Sequence, residues 1–184
     1  YSQKEYRDGI LEEDPAVMLF SGIGNDIMLG FERRILDWQP SFAADPTKVF
    51  NRDLNDAESY SSQLNLGRST YARVIAEVYS YRPGLPILLH GYDYAIPGEG
   101  KRDPWLKPAM DKRKIPEDAQ PKVVELMIDD LNRVIRDLAE EFDSVVYVDC
   151  RNVAEHPWDD AIHPTSEGYA AVAEVFRRAI EALP

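Results

Sequence analysis

The order in which two hydrophobic periodicities alternate predicts an α/β fold with a parallel sheet. Three short apolar runs, 16–20, 85–89 and 145–148, have the composition of buried strands. Each is followed by a longer stretch in which apolar residues recur at three-and-four spacing, the mark of an amphipathic helix. Strand, helix, strand, helix, strand, helix implies parallel strands joined by right-handed crossovers. A third observation agrees with the other two. Chemically versatile residues gather just after each apolar run, at the carboxyl ends of the strands, where ligands bind in open α/β sheets.

In chain order, residues 1–14 are polar and charged and read as the end of a helix, with a turn at Asp14-Pro15. The strand Ala16-Val17-Met18-Leu19-Phe20 follows, then a short helix near 27–38. Gln39-Pro40, Asp45-Pro46 and the mixed stretch to Asn55 read as an irregular insertion. Its aromatics, Trp38, Phe42 and Phe50, either form an acyl-binding surface or pin the insertion to the body. Residues 57–81 carry Leu64, Tyr71, Val74, Ile75, Val78 and Tyr79 in a helical pattern, with Gly67 weakening its middle and Pro83-Gly84 ending it. Residues 98–116 are rich in proline, glycine and charge and read as a loop over the rim, with Trp105-Leu106 as a lone apolar anchor. A long helix over 117–142 presents Val123, Val124, Met127, Leu131, Val134, Ile135, Leu138 and Phe142 as one stripe. After the strand Val145–Val148, Tyr169, Val172, Ala173, Phe176 and Ile180 mark the last helix, and Thr165 is placed to cap it.

Composition narrows the class. At 184 residues and 44% apolar content, the chain is expected to form a single domain, 1–184, with a substantial core. A formal charge of −12 repels phosphate backbones, so no nucleic-acid partner is expected. No stretch approaches a membrane span. The single cysteine, Cys150, excludes an intrachain disulfide and reads as a small buried hydrophobe. His90, His156 and His163 are scattered without metal-ligand spacing, so no metal is implied. The chain begins at Tyr1 and enters the pattern part-way through, as expected of a fragment or a processed product.

The chemistry concentrates in three stretches. Asp160 and His163 lie between the last strand and the last helix, and a spacing of three in a tight turn lets both side chains project to one side. A carboxylate on Nδ1–H would hold such a histidine in the tautomer of a general base. The plain alternative is a turn-forming aspartate beside a surface histidine. Ser21-Gly22-Ile23-Gly24-Asn25-Asp26 follows the first strand: its glycines permit a sharp turn, and Asn25 has an amide suited to a developing oxyanion. Ordinary helix capping by Asn25 or Asp26 is the alternative. His90 and Asp93 follow the second strand on the same rim, where His90 either contacts substrate or braces the loop.

Gly24-Asn25-Asp26 after one strand and Asp160-Ala161-Ile162-His163-Pro164 before the last helix resemble the SGNH (GDSL-type) hydrolases. Leu88-Leu89-His90-Gly91-Tyr92-Asp93-Tyr94-Ala95-Ile96-Pro97 and Tyr147-Val148-Asp149-Cys150-Arg151 strengthen the match, which runs from about Ala16 to the C-terminus. The resemblance implies a flavodoxin-like three-layer α/β/α sandwich, the SGNH-hydrolase fold, with its N-terminal strands absent from this sequence. It implies hydrolysis of a small-molecule ester by a Ser-His-Asp triad, with no metal and no cofactor. His163, Asp160 and Asn25 are then the candidate catalytic residues, and Gly24, His90 and Asp93 the candidate substrate-binding residues.

Two departures stand out. Ile23 occupies the place where the family carries glycine, and the Gly-Asp-Ser nucleophile block is absent, so the resemblance puts the catalytic serine upstream of Tyr1. A lipid ester, an acetylated sugar and a small thioester all remain open as substrates. The alternative from another class is a non-catalytic SGNH-like domain that binds a ligand or a partner. In the family's strand order, 2-1-3-4-5, the three strands here would be the last three and neighbours. One edge is then expected to be covered by upstream residues or by another chain.

Overall fold

The structure is a computed structural model that describes residues 5–24, 27, 31, 35–37, 39, 42, 45–99, 103, 105–153 and 158–184. Its described elements run α1 (Glu5–Glu13), β1 (Met18–Phe20), α2 (Tyr60–Tyr81), β2 (Ile87–His90), α3 (Leu106–Lys112), α4 (Gln120–Ala139), β3 (Val145–Val148) and α5 (Ser166–Glu181). The three strands form one parallel sheet in the order β1-β2-β3, as expected of neighbouring strands joined by helices. Met18, Ile87 and Val145 stand in one row of the register, and Phe20, Leu89 and Tyr147 in another.

Alternation along the strands divides the apolar residues between two layers. Ile87, Leu89 and Val145 join the main core with residues of α1, α2, α3 and α4. Leu88, Val148 and Cys150 face the other way and are covered by Val172, Val175, Phe176 and Ala179 of α5. The result is helices, sheet, helix: a three-layer α/β/α arrangement. The second layer is thinner, because the apolar residues of α5 are only half-buried and Tyr169 and Ile180 are exposed. On that same face β1 is an edge strand among the described residues, and Leu19 is 54% exposed.

Gly67, which on helix propensity weakens α2, has a packing role. A Cβ built there would lie 1.6 Å from Cδ1 of Ile23, so the glycine is the socket into which Ile23 fits. Ile23 is buried at 3% exposure, and nearby Phe20 stacks on Tyr71 at 4.4 Å between ring centroids. Together these contacts seat α2 against the turn after β1. Gly67→Ala is expected to gain about 1 kcal/mol of helix propensity and to lose more to overpacking, which runs to roughly 1–3 kcal/mol or more. Net destabilisation in urea unfolding, relieved by combining it with Ile23→Ala, is the expected result; a more stable Gly67→Ala protein would remove the socket from the account.

Two sequence expectations are revised. Residues 98–116 are not a plain loop, for Leu106–Lys112 is helical. The helix forms because Asp103 accepts from the backbone N–H groups of Trp105 (3.1 Å), Leu106 (2.7 Å) and Lys107 (2.7 Å), which the first turn would otherwise leave unpaired. Trp105-Leu106 is also not a lone anchor, since Leu106, Ala109 and Met110 are all buried. In the insertion, Phe50 is buried against Tyr60 with ring centroids 4.3 Å apart, so it pins the segment to α2. Trp38 lies outside the described residues. The last helix begins as expected, with the Thr165 hydroxyl accepting from Gly168 N–H at 3.4 Å.

Candidate active site

The loop between β3 and α5 closes tightly on itself. Trp158 and Pro164 pair across it as an antiparallel bridge, and Asp159 N–H donates to the carbonyl of His163 at 2.9 Å. This turn puts the Asp160 carboxylate beside the His163 ring, with Oδ1 and Oδ2 each 3.0 Å from Nδ1. Oδ1 also accepts from Ile162 N–H at 3.0 Å and His163 N–H at 2.9 Å. Burial raises the Asp160 carboxyl, but the His163 side chain and the two backbone N–H groups outweigh it and hold the group below its usual value. The carboxylate is ionised at neutral pH and can only accept, so Nδ1 must carry the imidazole proton. In the neutral imidazole that puts the lone pair on Nε2, the form a general base requires. The Asp160 side chain is 8% exposed and that of His163 49%, so the buried group orients and the accessible group is free to react. Trp105 of the segment leading into α3 meets His163 edge-on at 6.0 Å.

His163 opens onto a cavity of ≈ 330 Å³ at the carboxyl ends of the strands. Ser21, Gly24, His90, Tyr92 and Asp93 line it with His163, so the three motif stretches meet there. Ile27, Met127, Ile128 and Leu131 give it an apolar wall. Asn25 and His156 lie outside the described residues.

Gly24 donates its N–H to the Tyr92 hydroxyl at 3.2 Å, and a Cβ there would come within 2.8 Å of the Tyr92 ring. Asp93 lines the cavity while accepting from the backbone N–H groups of Tyr94 (2.7 Å), Asn152 (2.6 Å) and Val153 (3.0 Å). It thereby ties the loop after β2 to the loop after β3. His90 Nδ1 stands 3.0 Å from the Ser21 hydroxyl, and its ring packs near Tyr92 and Phe176. Burial pushes the His90 imidazole below its ordinary value. Below the unfolded value, about 6.5, the unfolded chain takes up a proton that the folded chain resists, so stability falls with pH until the folded value is passed. Between pH 7.5 and 5.5 the urea midpoint is expected to drop less in His90→Gln than in the parent protein; equal drops would remove His90 as the source. Cys150 also lines the cavity, but burial, with help from Asp149 and Asp93, pushes its thiol up to about 12, which makes it inert.

Two contributors went unread in the sequence. Asn132, on the otherwise apolar stripe of α4, clamps the backbone of Tyr92: its Nδ2 donates to Tyr92 O and its Oδ1 accepts from Tyr92 N–H, both at 2.7 Å. The signal was an amide beside Leu131 at a position that turns inward, because a polar residue buried to 2% exposure has partners. Ser21 stood in plain view at the head of its motif, but only the fold brings His90 to it.

The sequence profile of the GDSL-like lipase/acylhydrolases matches residues 2–176, nearly the whole chain. The chain belongs to the GDSL-like lipase/acylhydrolase family. Membership makes this GDSL-type chain an ester hydrolase in the general sense, and the meeting of its three motif stretches in one cavity is consistent with that. Among solved structures, the extracellular lipase from Streptomyces rimosus is similar, at 16% identity and a TM-score of 0.49, over 91% of this chain and 75% of that chain. No curated protein matches this chain. Among the described residues of this GDSL-type chain, no helix is long and apolar enough to cross a membrane, and no cluster of His, Cys, Asp and Glu could hold a metal ion.

Proposed function

We propose that the chain is the acid–base half of a serine-type carboxylic-ester hydrolase. His163, held by Asp160, takes the proton of a serine supplied from upstream of Tyr1, and the serine oxygen attacks the ester carbonyl. Asn25 donates to the oxyanion of the tetrahedral intermediate, and His163 then returns the proton to the leaving alcohol. The observation that carries this reading is the buried Asp160 carboxylate with both oxygens on His163 Nδ1, at the mouth of the cavity. Gly24, His90 and Asp93 belong to the wall that receives the substrate. A cavity of ≈ 330 Å³ lies near the bottom of the ~300–1,000 Å³ range of small-molecule sites. With its apolar wall, it suits an ester with a compact apolar acyl group better than a long lipid chain.

The test is turnover of short p-nitrophenyl esters by the full protein, with Asn25→Ala beside it. Loss of about 10²–10³ in kcat is expected from deleting an oxyanion donor of this kind. A change under tenfold withdraws the role of Asn25. Absence of any turnover above buffer, with an ester analogue still bound, assigns the cavity to a non-catalytic binding domain.

A further inference from the structure

The cavity holds a second pairing of chemical groups, and it is complete within the described chain. Ser21 sits one residue beyond β1, exposed, and His90 ends the neighbouring strand β2. Parallel register sets Phe20 opposite Leu89, so the next residue of each strand, Ser21 and His90, emerges side by side on the carboxyl rim. The Ser21 hydroxyl is 3.0 Å from His90 Nδ1, and the Tyr92 hydroxyl is 3.5 Å from the same oxygen. A serine within hydrogen-bond reach of an imidazole, opening on a concave site, is the arrangement that activates a nucleophile.

We propose that Ser21 and His90 form a second nucleophile–base pair, so that Ser21 itself accepts an acyl group from esters entering this cavity. The proposal rests on reading the cavity as an ester site. In the first step Ser21 O–H gives its proton to His90 Nδ1 while Oγ bonds to the ester carbonyl carbon. The carbon–alkoxy bond then breaks, and His90 returns the proton to the leaving alcohol. Water next attacks the acyl-Ser21 carbonyl, passing a proton to His90; the carbon–Oγ bond then breaks, His90 returns that proton to Ser21 Oγ, and the carboxylic acid leaves. Burial favours the neutral imidazole of His90, and its Nε2–H tautomer is the one that turns a lone pair on Nδ1 toward Ser21. The Tyr92 hydroxyl accepts from Gly24 N–H and stands 3.5 Å from Ser21 Oγ, beside the place where negative charge develops. His90 has no carboxylate among its described partners, whereas His163 has Asp160. In serine triads the orienting carboxylate is worth about 10⁴ in kcat, so the Ser21 pair is expected to be slow and to favour activated esters.

The experiment is fluorophosphonate labelling of the full protein, followed by mapping of the modified peptide. An adduct on Ser21, absent in Ser21→Ala and formed at least about 10²-fold more slowly in His90→Gln, is the expected result, the factor being that of general-base catalysis. Labelling of Ser21 at an unchanged rate in His90→Gln overturns the pairing. An adduct confined to a serine upstream of Tyr1 overturns this inference and leaves the proposed function standing. No adduct on any serine overturns both.

Discussion

His163→Ala is expected to lower kcat for ester hydrolysis by about 10⁴-fold or more, with a much smaller change in KM. Residues of a serine triad act as a unit, so loss of the base removes most of what the unit contributes. The structure sharpens this expectation through Asp160. Its carboxylate fixes the Nδ1–H tautomer and also braces the turn by accepting from Ile162 and His163 N–H. Asp160→Asn keeps an oxygen for those backbone donors but can present N–H₂ to the ring and select the wrong tautomer. A fall of about 10³–10⁴ in kcat is expected, with the unfolding midpoint little changed. Steady-state kinetics beside urea unfolding separates the two effects. If both variants retain more than a tenth of the parent turnover, the Asp160–His163 assignment is wrong.

The largest effect on stability is expected from Asn132→Leu. The side chain is similar in size, so the change isolates polarity from volume. It strands the backbone N–H and C=O of Tyr92, each of which loses a 2.7 Å bond to the amide. An unsatisfied buried group costs about 1–3 kcal/mol, so a loss of roughly 2–5 kcal/mol is expected in urea unfolding. Tyr92 also accepts from Gly24 N–H and faces Ser21, so any shift of its backbone reaches the cavity wall. Turnover under folding conditions should therefore fall as well. A loss below 1 kcal/mol would mean that water replaces the amide and that the clamp is dispensable.

Strand positions were legible because buried parallel strands are short continuous apolar runs; Val145–Val148 has the same bounds in both. The long helices were legible from their stripes, with α4 occupying 120–139 inside the 117–142 expected. The Asp160–His163 pair was legible because its partners are three residues apart, a separation that a tight turn must bring together. The helix α3 was not legible, because it depends on Asp103 reaching three N–H groups beyond a run of proline, glycine and charge. Gly67 was misread as a weak point for a similar reason: its partner, Ile23, is far away in the chain, and propensity carries no information about contacts at that range.

What the sequence alone determined is therefore local or periodic: the α/β class, the parallel sheet, the position of the motifs at strand ends, and the closeness of Asp160 to His163. What only the tertiary structure decided is which distant residues meet. Ile23 finds its socket at Gly67, Asn132 clamps Tyr92, and Ser21 comes within 3.0 Å of His90. The physical reason is that strand register and helix packing set such contacts, and both are properties of the whole core, to which no short window of residues has access.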